Sequence, residues 1–447
     1  MIVVNNPFKA RSGGGRHLYQ RKASTSPLFI IVIVAAILGT AGLFINNYYQ
    51  LEILLQSKDD ANKAIGSGEN DIEVKKNPNS DDMSVEVERL SRAYPVWIDN
   101  RRSIDGNSRP YDWCVAEDVA TNNDSPKGLL FVKVHKSGSS TGAGVTLRIQ
   151  DGLTRRLRHA NATAPVSCFA HYHHATAKKL NLQKRDPMKS FLWSIVREPA
   201  QRSLSHFFYF DVSHQNVKAT EDSILSALKD PPRWLGHNYQ SNYLDLPWEN
   251  DHSSAVDRII NGYDFLGVNE RMDESLVVLA MLALIPLTNM VVFSTKISGG
   301  YAVGLNHALG HNNTCVKTKE KWTTPKIDEY ILGDYKSANR DDYLLYHAAQ
   351  RSLDMTIDAL GRQRVEENVE LLKRLQQQNE EQCASEVTFP CPQPDDEEKK
   401  EEHLRLVEES CYVSDFGCGH ACTVAALADQ TDEEWASLTS SEGQNRA

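Results

Sequence analysis

Gly128-Leu129-Leu130-Phe131-Val132-Lys133-Val134 runs without a break into His135-Lys136-Ser137-Gly138-Ser139-Ser140-Thr141-Gly142-Ala143-Gly144. The first seven residues have the β-branched, apolar character of a buried strand in a parallel sheet. The small residues after them read as a tight loop that opens a helix. Such a loop lets backbone N–H groups approach an anion, the helix adds the positive end of its dipole, and Lys136 supplies a mobile charge. The phosphate loop of nucleotide hydrolases ends in Gly-Lys-Ser/Thr, whereas here the lysine precedes the glycines, which disfavours an ordinary ATPase or kinase. Taken alone, these residues also suit a plain strand-to-helix connection.

A second stretch strengthens the first. Phe191-Leu192-Trp193-Ser194-Ile195-Val196 is another strand-like run; it ends at Arg197-Glu198-Pro199, and Ala200 to Phe210 then has helical character. Pro199 sits where a helix starts without losing a needed N–H. Arg197 therefore falls at the carboxyl end of a strand. Ser205, about two turns into the helix, can face the same crevice, where ligands sit in open α/β sheets. A guanidinium fork with a hydroxyl suits a phosphate monoester. The fold class expected is α/β, a parallel sheet flanked by helices.

At this point the residues carry a family resemblance. His135-Lys136-Ser137-Gly138-Ser139-Ser140-Thr141 resembles the 5′-phosphosulfate loop of Golgi carbohydrate sulfotransferases, and Val196 through Phe210 resembles their 3′-phosphate motif. The galactose 3-O-sulfotransferases and the heparan/uronyl 2-O-sulfotransferases look most similar, and a third block, Tyr263 through Leu276, is similar to a segment both carry downstream. The resemblance spans roughly residues 127 to 375 and implies a P-loop-like sheet. It also implies a co-substrate, 3′-phosphoadenosine 5′-phosphosulfate, with a glycan hydroxyl as acceptor. On that reading Lys136 meets the charge growing on the bridging oxygen. Ser137, Gly138, Ser139, Ser140 and Thr141 hold the 5′ side of the donor, and Arg197 with Ser205 holds the 3′-phosphate. No metal is required.

The base is sought in Cys168-Phe169-Ala170-His171-Tyr172-His173-His174, because an imidazole titrates near neutrality. If the segment is extended, His171 and His173 share one face and His174 takes the other. The 2-O group carries a Phe-x-His-x-His element matching His171 and His173. The 3-O group carries adjacent histidines that match His173 and His174. His173 is preferred because both alignments include it, with His171 in support.

Leu28 to Ile45 is uncharged and apolar for about 18 residues, enough to cross a thin bilayer. Lys9, Arg11, Arg16, Arg21 and Lys22 precede it, while Glu52, Asp59 and Asp60 follow Tyr48 and Tyr49. The positive-inside rule then gives a single-pass type II protein, and the resemblance implies that its membrane is the Golgi membrane. Its parts are a cytoplasmic tail (1–27), a signal anchor (28–45), a polar stem (46–126), a lumenal sulfotransferase domain (127–380) and a Cys-rich acidic tail (381–447). Sequons begin at Asn123, Asn161 and Asn312. All eight cysteines follow the anchor, in a compartment that permits disulfides. If all pair within the chain, parity joins at least one of Cys383, Cys391, Cys411, Cys418 and Cys422 to Cys114, Cys168 or Cys315. Cys418-Gly419-His420-Ala421-Cys422 is alternatively a zinc half-site.

The formal net charge of −10 argues against a nucleic-acid partner. The expected partners are a glycan acceptor (glycolipid, glycoprotein or polysaccharide) and the Golgi membrane. Arg155-Arg156-Leu157-Arg158-His159 reads as a solvated basic helix face or a guide for anionic glycans. From Ile327 to about Gln382 the pattern is helical and either covers the sheet or supports a homo-oligomer. Two other classes compete: a membrane-anchored glycan-binding protein that keeps the fold without turnover, and a kinase-like phosphotransferase, disfavoured by its missing Gly-Lys-Ser/Thr order.

Overall fold

The computed structural model describes residues 96–97, 114–116, 126, 128–160, 166–168, 170–232, 235–247, 253–292, 301–303, 315–384 and 419–439. All of them belong to one compact unit, 77–447. The expected cytoplasmic tail, the anchor at 28–45, most of the stem and all three sequons lie outside the described residues. Among the described residues no helix is long and apolar enough to cross a membrane.

The strands are β1 (Cys114–Ala116), β2 (Gly128–Val132), β3 (Val166–Cys168), β4 (Ala170–His173), β5 (Ser190–Val196), β6 (Phe265–Val268), β7 (Tyr301–Val303) and β8 (Cys315–Lys317). The central sheet has the order β4-β2-β5-β6, every neighbouring pair parallel, with Val132 opposite both His173 and Ser194, and Val196 opposite Val268. Antiparallel pairs β1-β3 and β7-β8 stand apart from it.

The sequence pattern explains the centre. All five residues of β2 and all seven of β5 are buried, so both faces of these strands are covered, as expected of continuous apolar runs. The Trp193 ring lies 4.5 Å from that of Phe131. The one hydroxyl in the middle of β5, on Ser194, donates to the Val132 carbonyl at 2.8 Å and is thereby satisfied.

The helices are α1 (Ser139–Ala160), α2 (Pro199–His206), α3 (Glu221–Lys229), α4 (Tyr239–Leu244), α5 (Ala255–Gly262), α6 (Met272–Ala283), α7 (Pro325–Tyr330), α8 (Lys336–Ala338), α9 (Arg340–Leu360), α10 (Arg362–Cys383), α11 (His420–Ala426) and α12 (Ala428–Thr439). Helix α1 packs on β2, β4 and β5, and it comes close because Gly142 meets the Phe131 ring where a Cβ would sit 2.3 Å from a ring carbon. Helix α2 starts as the sequence indicates: Pro199 follows the cap, and the Glu198 carboxylate accepts from Gln201 N–H at 2.6 Å. The helix expected to run to Phe210 instead widens into a π-helical turn over Phe207–His214, a geometry frequent at functional sites. The Ser213 hydroxyl supports it by donating to the Phe208 carbonyl at 2.5 Å.

The C-terminal segment, whose role the sequence leaves open, contributes α11 and α12, with Leu427 and Trp435 entering the core. A disulfide joins Cys383 at the end of α10 to Cys422 in α11. That bond removes Cys422 from any zinc site. It links two tail cysteines, so it leaves the parity argument untouched; Cys391, Cys411 and Cys418 lie outside the described residues.

Candidate functional site

The strand order fixes where a ligand belongs. The first crossover, β2 to β4, moves one way along the sheet, and the chain then returns past β2 to lay down β5 and β6 on its other side. The connections diverge between β2 and β5, and the crevice beyond the carboxyl ends of those two strands is the expected ligand site of such a sheet. The Lys136 loop leaves β2 and Arg197 leaves β5, so both enter this crevice.

A cleft of about 640 Å³ opens there. Of the sequence-derived residues, Lys136, Gly138, Ser139, Ser140, Thr141, Arg197 and Ser205 all line it. The loop is tightly set: Lys136 has φ 64° and Gly138 φ 79°, both in the left-handed region. For a lysine that conformation is uncommon and costs about 1–2 kcal/mol. Gly138 is also the only residue type that fits, since a Cβ there would stand 2.6 Å from both Asn269 Oδ1 and Met272 Cε. The first turn of α1 contains no acidic residue to offset the helix dipole.

Two loops are joined across the crevice. Arg197 Nη1 donates to the Lys136 carbonyl at 3.0 Å, and Arg197 Nε lies 3.6 Å from Glu270 Oε1. The Gln240 side chain clamps the Arg197 backbone from both sides, accepting from its N–H at 2.9 Å and donating to its carbonyl at 2.8 Å. The Lys136 ammonium rests over the Tyr209 ring, 3.7 Å from its centroid.

Ser137 is the exception among the loop residues. It is buried and does not line the cleft; its hydroxyl donates to the Val134 carbonyl at 2.9 Å. Its side chain therefore shapes the turn and is not available to hold a phosphate.

His171 and His173 lie on β4, with the backbone of His171 opposite Leu130 and that of His173 opposite Val132; their side chains lie outside the described residues. Two described histidine rings line the cleft, His135 of the loop and His174, just past the strand's carboxyl end. The His174 Nδ1 is 3.0 Å from the Lys133 carbonyl. A carbonyl only accepts, so Nδ1 carries the proton and the neutral ring keeps its lone pair on Nε2. His135 stacks on His174 at 4.2 Å between centroids, and its own Nδ1 shares a 2.7 Å hydrogen bond with the Tyr239 hydroxyl. Burial, with Arg202, Lys133 and Lys136 nearby, lowers the His135 pKa to about 4, so this ring is neutral at physiological pH. The buried His206 is lowered to about 3, by burial first and then by Arg202, His135 and Lys136.

Sequence reasoning missed several lining residues. Lys319 and Lys321 reach the cleft from the irregular segment after β8, and Lys321 donates to Gln201 Oε1 at 3.3 Å. Burial and the Arg197 charge lower the Lys321 pKa. Asn269 and Met272 come from the third resemblance block, and Phe208 and Tyr209 from the π-helical turn. Among the described residues, four cations and no carboxylate line the cleft. With the α1 N-terminus at its base, the arrangement suits a ligand with more than one phosphate-like group.

No family model, no curated protein and no solved structure matches the chain.

Proposed function

We propose that the chain is a sulfotransferase that moves a sulfuryl group from 3′-phosphoadenosine 5′-phosphosulfate to a glycan hydroxyl, of the galactose 3-O or uronic acid 2-O type, in the Golgi lumen. The observation that carries this reading is the convergence, at the β2/β5 divergence of a parallel sheet, of the Lys136 loop with Arg197 and Ser205 in one carboxylate-free cleft. A P-loop-like cradle is the finer description of the fold that this convergence supports.

The cleft residues fit the donor by chemistry. The loop amides with Ser139, Ser140 and Thr141 hold the 5′ side, and Arg197 with Ser205 and the added Lys321 meets the 3′-phosphate. Lys136, whose ammonium rests over the Tyr209 ring, would turn from it to meet the bridging oxygen. In the transfer the acceptor oxygen forms a bond to sulfur as the bond from sulfur to that bridging oxygen breaks. Adenosine 3′,5′-bisphosphate leaves, and the hydroxyl proton passes to an imidazole. Of the adjacent histidines, His174 has the better described credentials: it lines the cleft and its tautomer leaves Nε2 basic. It is proposed as the base, or as the ring that orients His173 in that role.

The test is transfer of labelled sulfate by the full-length chain to galactosides, uronic-acid polymers and desulfated glycans, with binding of adenosine 3′,5′-bisphosphate measured in parallel. Labelled product, abolished by Lys136→Ala and reduced by His174→Ala with bisphosphate binding retained in the latter, supports the reading. Neither transfer nor binding refutes it. Binding without transfer to any member favours the glycan-binding alternative.

A further inference from the structure

A second cavity, of about 700 Å³, lies between the later turns of α1, the turn at 287–290 and helices α11 and α12, and it shares no lining residue with the first cleft. Its most unusual occupant is Arg148. The side chain is buried, no carboxylate pairs with it, and its Nε–H makes no hydrogen bond to any described group. Burial alone lowers its pKa to about 10. Asn289 Nδ2 and Thr423 Oγ1 line the same cavity and are likewise buried without a hydrogen-bond partner.

These three groups come from three different elements, and all can donate. Leaving a guanidinium buried and unpaired is costly, and each orphaned amide or hydroxyl adds to that cost. The nearby carboxylates are engaged elsewhere. Asp151 bonds Arg155 at 3.1 Å and lies 3.7 Å from His420 Nε2, and Glu434 accepts from the Thr288 N–H and hydroxyl at 3.1 and 3.0 Å. Among the described residues, Asp432 is the one acidic residue lining the cavity, against Arg148, Arg155 and Arg156. Arg156 lies over the Trp435 ring at 4.9 Å, so the basic run noted in the sequence is turned partly inward here.

We propose that this cavity binds a tetrahedral oxyanion, free sulfate or phosphate or the same group as a monoester on a small organic body, held by Arg148, Asn289 and Thr423 with Arg155 and Arg156 beside them. A tetrahedral oxyanion presents enough acceptors to satisfy all three orphaned donors, and 700 Å³ leaves room for an attached sugar-sized body. Because Thr423 belongs to α11, the anion also ties the C-terminal segment to α1.

The first cleft also attracts anions, so the test is made in a chain where that cleft is disabled. Thermal unfolding of full-length Arg197→Gln is followed against sodium sulfate, with chloride at matched ionic strength as reference. The expected result is a sulfate-dependent rise in Tm that persists in Arg197→Gln and disappears when Arg148→Gln is added. Without sulfate, Arg148→Gln is expected to be no less stable, since it removes an unpaired buried charge. A rise abolished by Arg197→Gln alone, or one that survives Arg148→Gln, overturns the proposal. Should Arg148→Gln fail to fold, Asn289→Ala replaces it and must raise the sulfate concentration needed for half the effect several-fold; an unchanged value overturns the proposal. A sulfated monosaccharide and its unsulfated parent form the last arm: a stronger response to the ester assigns a monoester site, and a response to sulfate alone assigns a free-ion site. These outcomes do not depend on sulfuryl transfer, so either reading can fail alone.

Discussion

Replacing Gly138 by Ala tests the cradle directly. At φ 79° an alanine costs about 1–2 kcal/mol over glycine. Its Cβ would also stand 2.6 Å from Asn269 Oδ1 and Met272 Cε. The methionine end can swing away, but the asparagine is short and lines the cleft, so overpacking adds about 1–2 kcal/mol. The combined strain of about 2–4 kcal/mol can appear in two places. If the loop keeps its shape, Gly138→Ala loses that much stability and binds adenosine 3′,5′-bisphosphate normally. If the loop relaxes out of shape, stability is largely kept and the bisphosphate must restore the cradle, so affinity falls about 30-fold for every 2 kcal/mol. The two losses should therefore sum to about 2–4 kcal/mol. Urea unfolding of the full chain gives the first and a binding titration gives the second. Should both change by less than about 0.5 kcal/mol, the size of a neutral surface substitution, the loop does not form the cradle described.

Two further outcomes are expected. His135 and His206 have folded pKa values of about 4 and about 3, below the unfolded 6.5, so the unfolded chain takes up protons first: their contribution is full above about pH 6.5 and is lost as pH falls toward those values. Between pH 7 and pH 5 each should cost about 2 kcal/mol, read as a falling urea midpoint that His206→Gln roughly halves; a flat profile would contradict the burial of both rings. Asp342 is buried, and its carboxylate accepts from Gln240 N–H at 3.0 Å, Ser241 N–H at 2.8 Å and the Ser241 hydroxyl at 2.8 Å. Asp342→Ala should therefore cost about 3 kcal/mol or more and, by loosening the Gln240 clamp on Arg197, weaken bisphosphate binding; equal affinity in a folded variant would separate the clamp from the site.

What the sequence disclosed and what it withheld divide along one physical line. Strands β2 and β5 were legible because continuous apolar runs are local, and so was the start of α2, because Glu198 and Pro199 act within one turn. The cleft's seven anticipated residues follow from those two strand ends. Lys319, Lys321 and Asn269 were not legible, since nothing local says that chain more than 100 residues past the Lys136 loop returns to it. Ser137 misled for a related reason: in a turn no periodicity fixes which way a side chain points, and its hydroxyl went to Val134. The change to a π-helical turn at Phe207 was likewise hidden, because its residues are compatible with a regular helix and tertiary contacts decide.

The cleft cations are held in a manner that bears on what they can do. Arg197 donates to a carbonyl, Lys321 donates to an amide oxygen and the Lys136 ammonium rests over an aromatic face, groups that fix a charge in space without cancelling it. A carboxylate in any of those places would have given equal rigidity and a neutral site. Glu270 does pair with Arg197, at 3.6 Å from its Nε, from a position that does not line the cleft. The protein thus carries repulsion between Arg197 and Lys321: burial and then the Arg197 charge lower the Lys321 pKa, against the opposing pull of Glu270 and Glu198. A polyanion would relieve that repulsion on binding, because it meets donors already in place. The same logic separates the two cavities. In the first, cations are neighbours and suit a ligand with several anionic groups; in the second, a single buried guanidinium with neutral donors suits one.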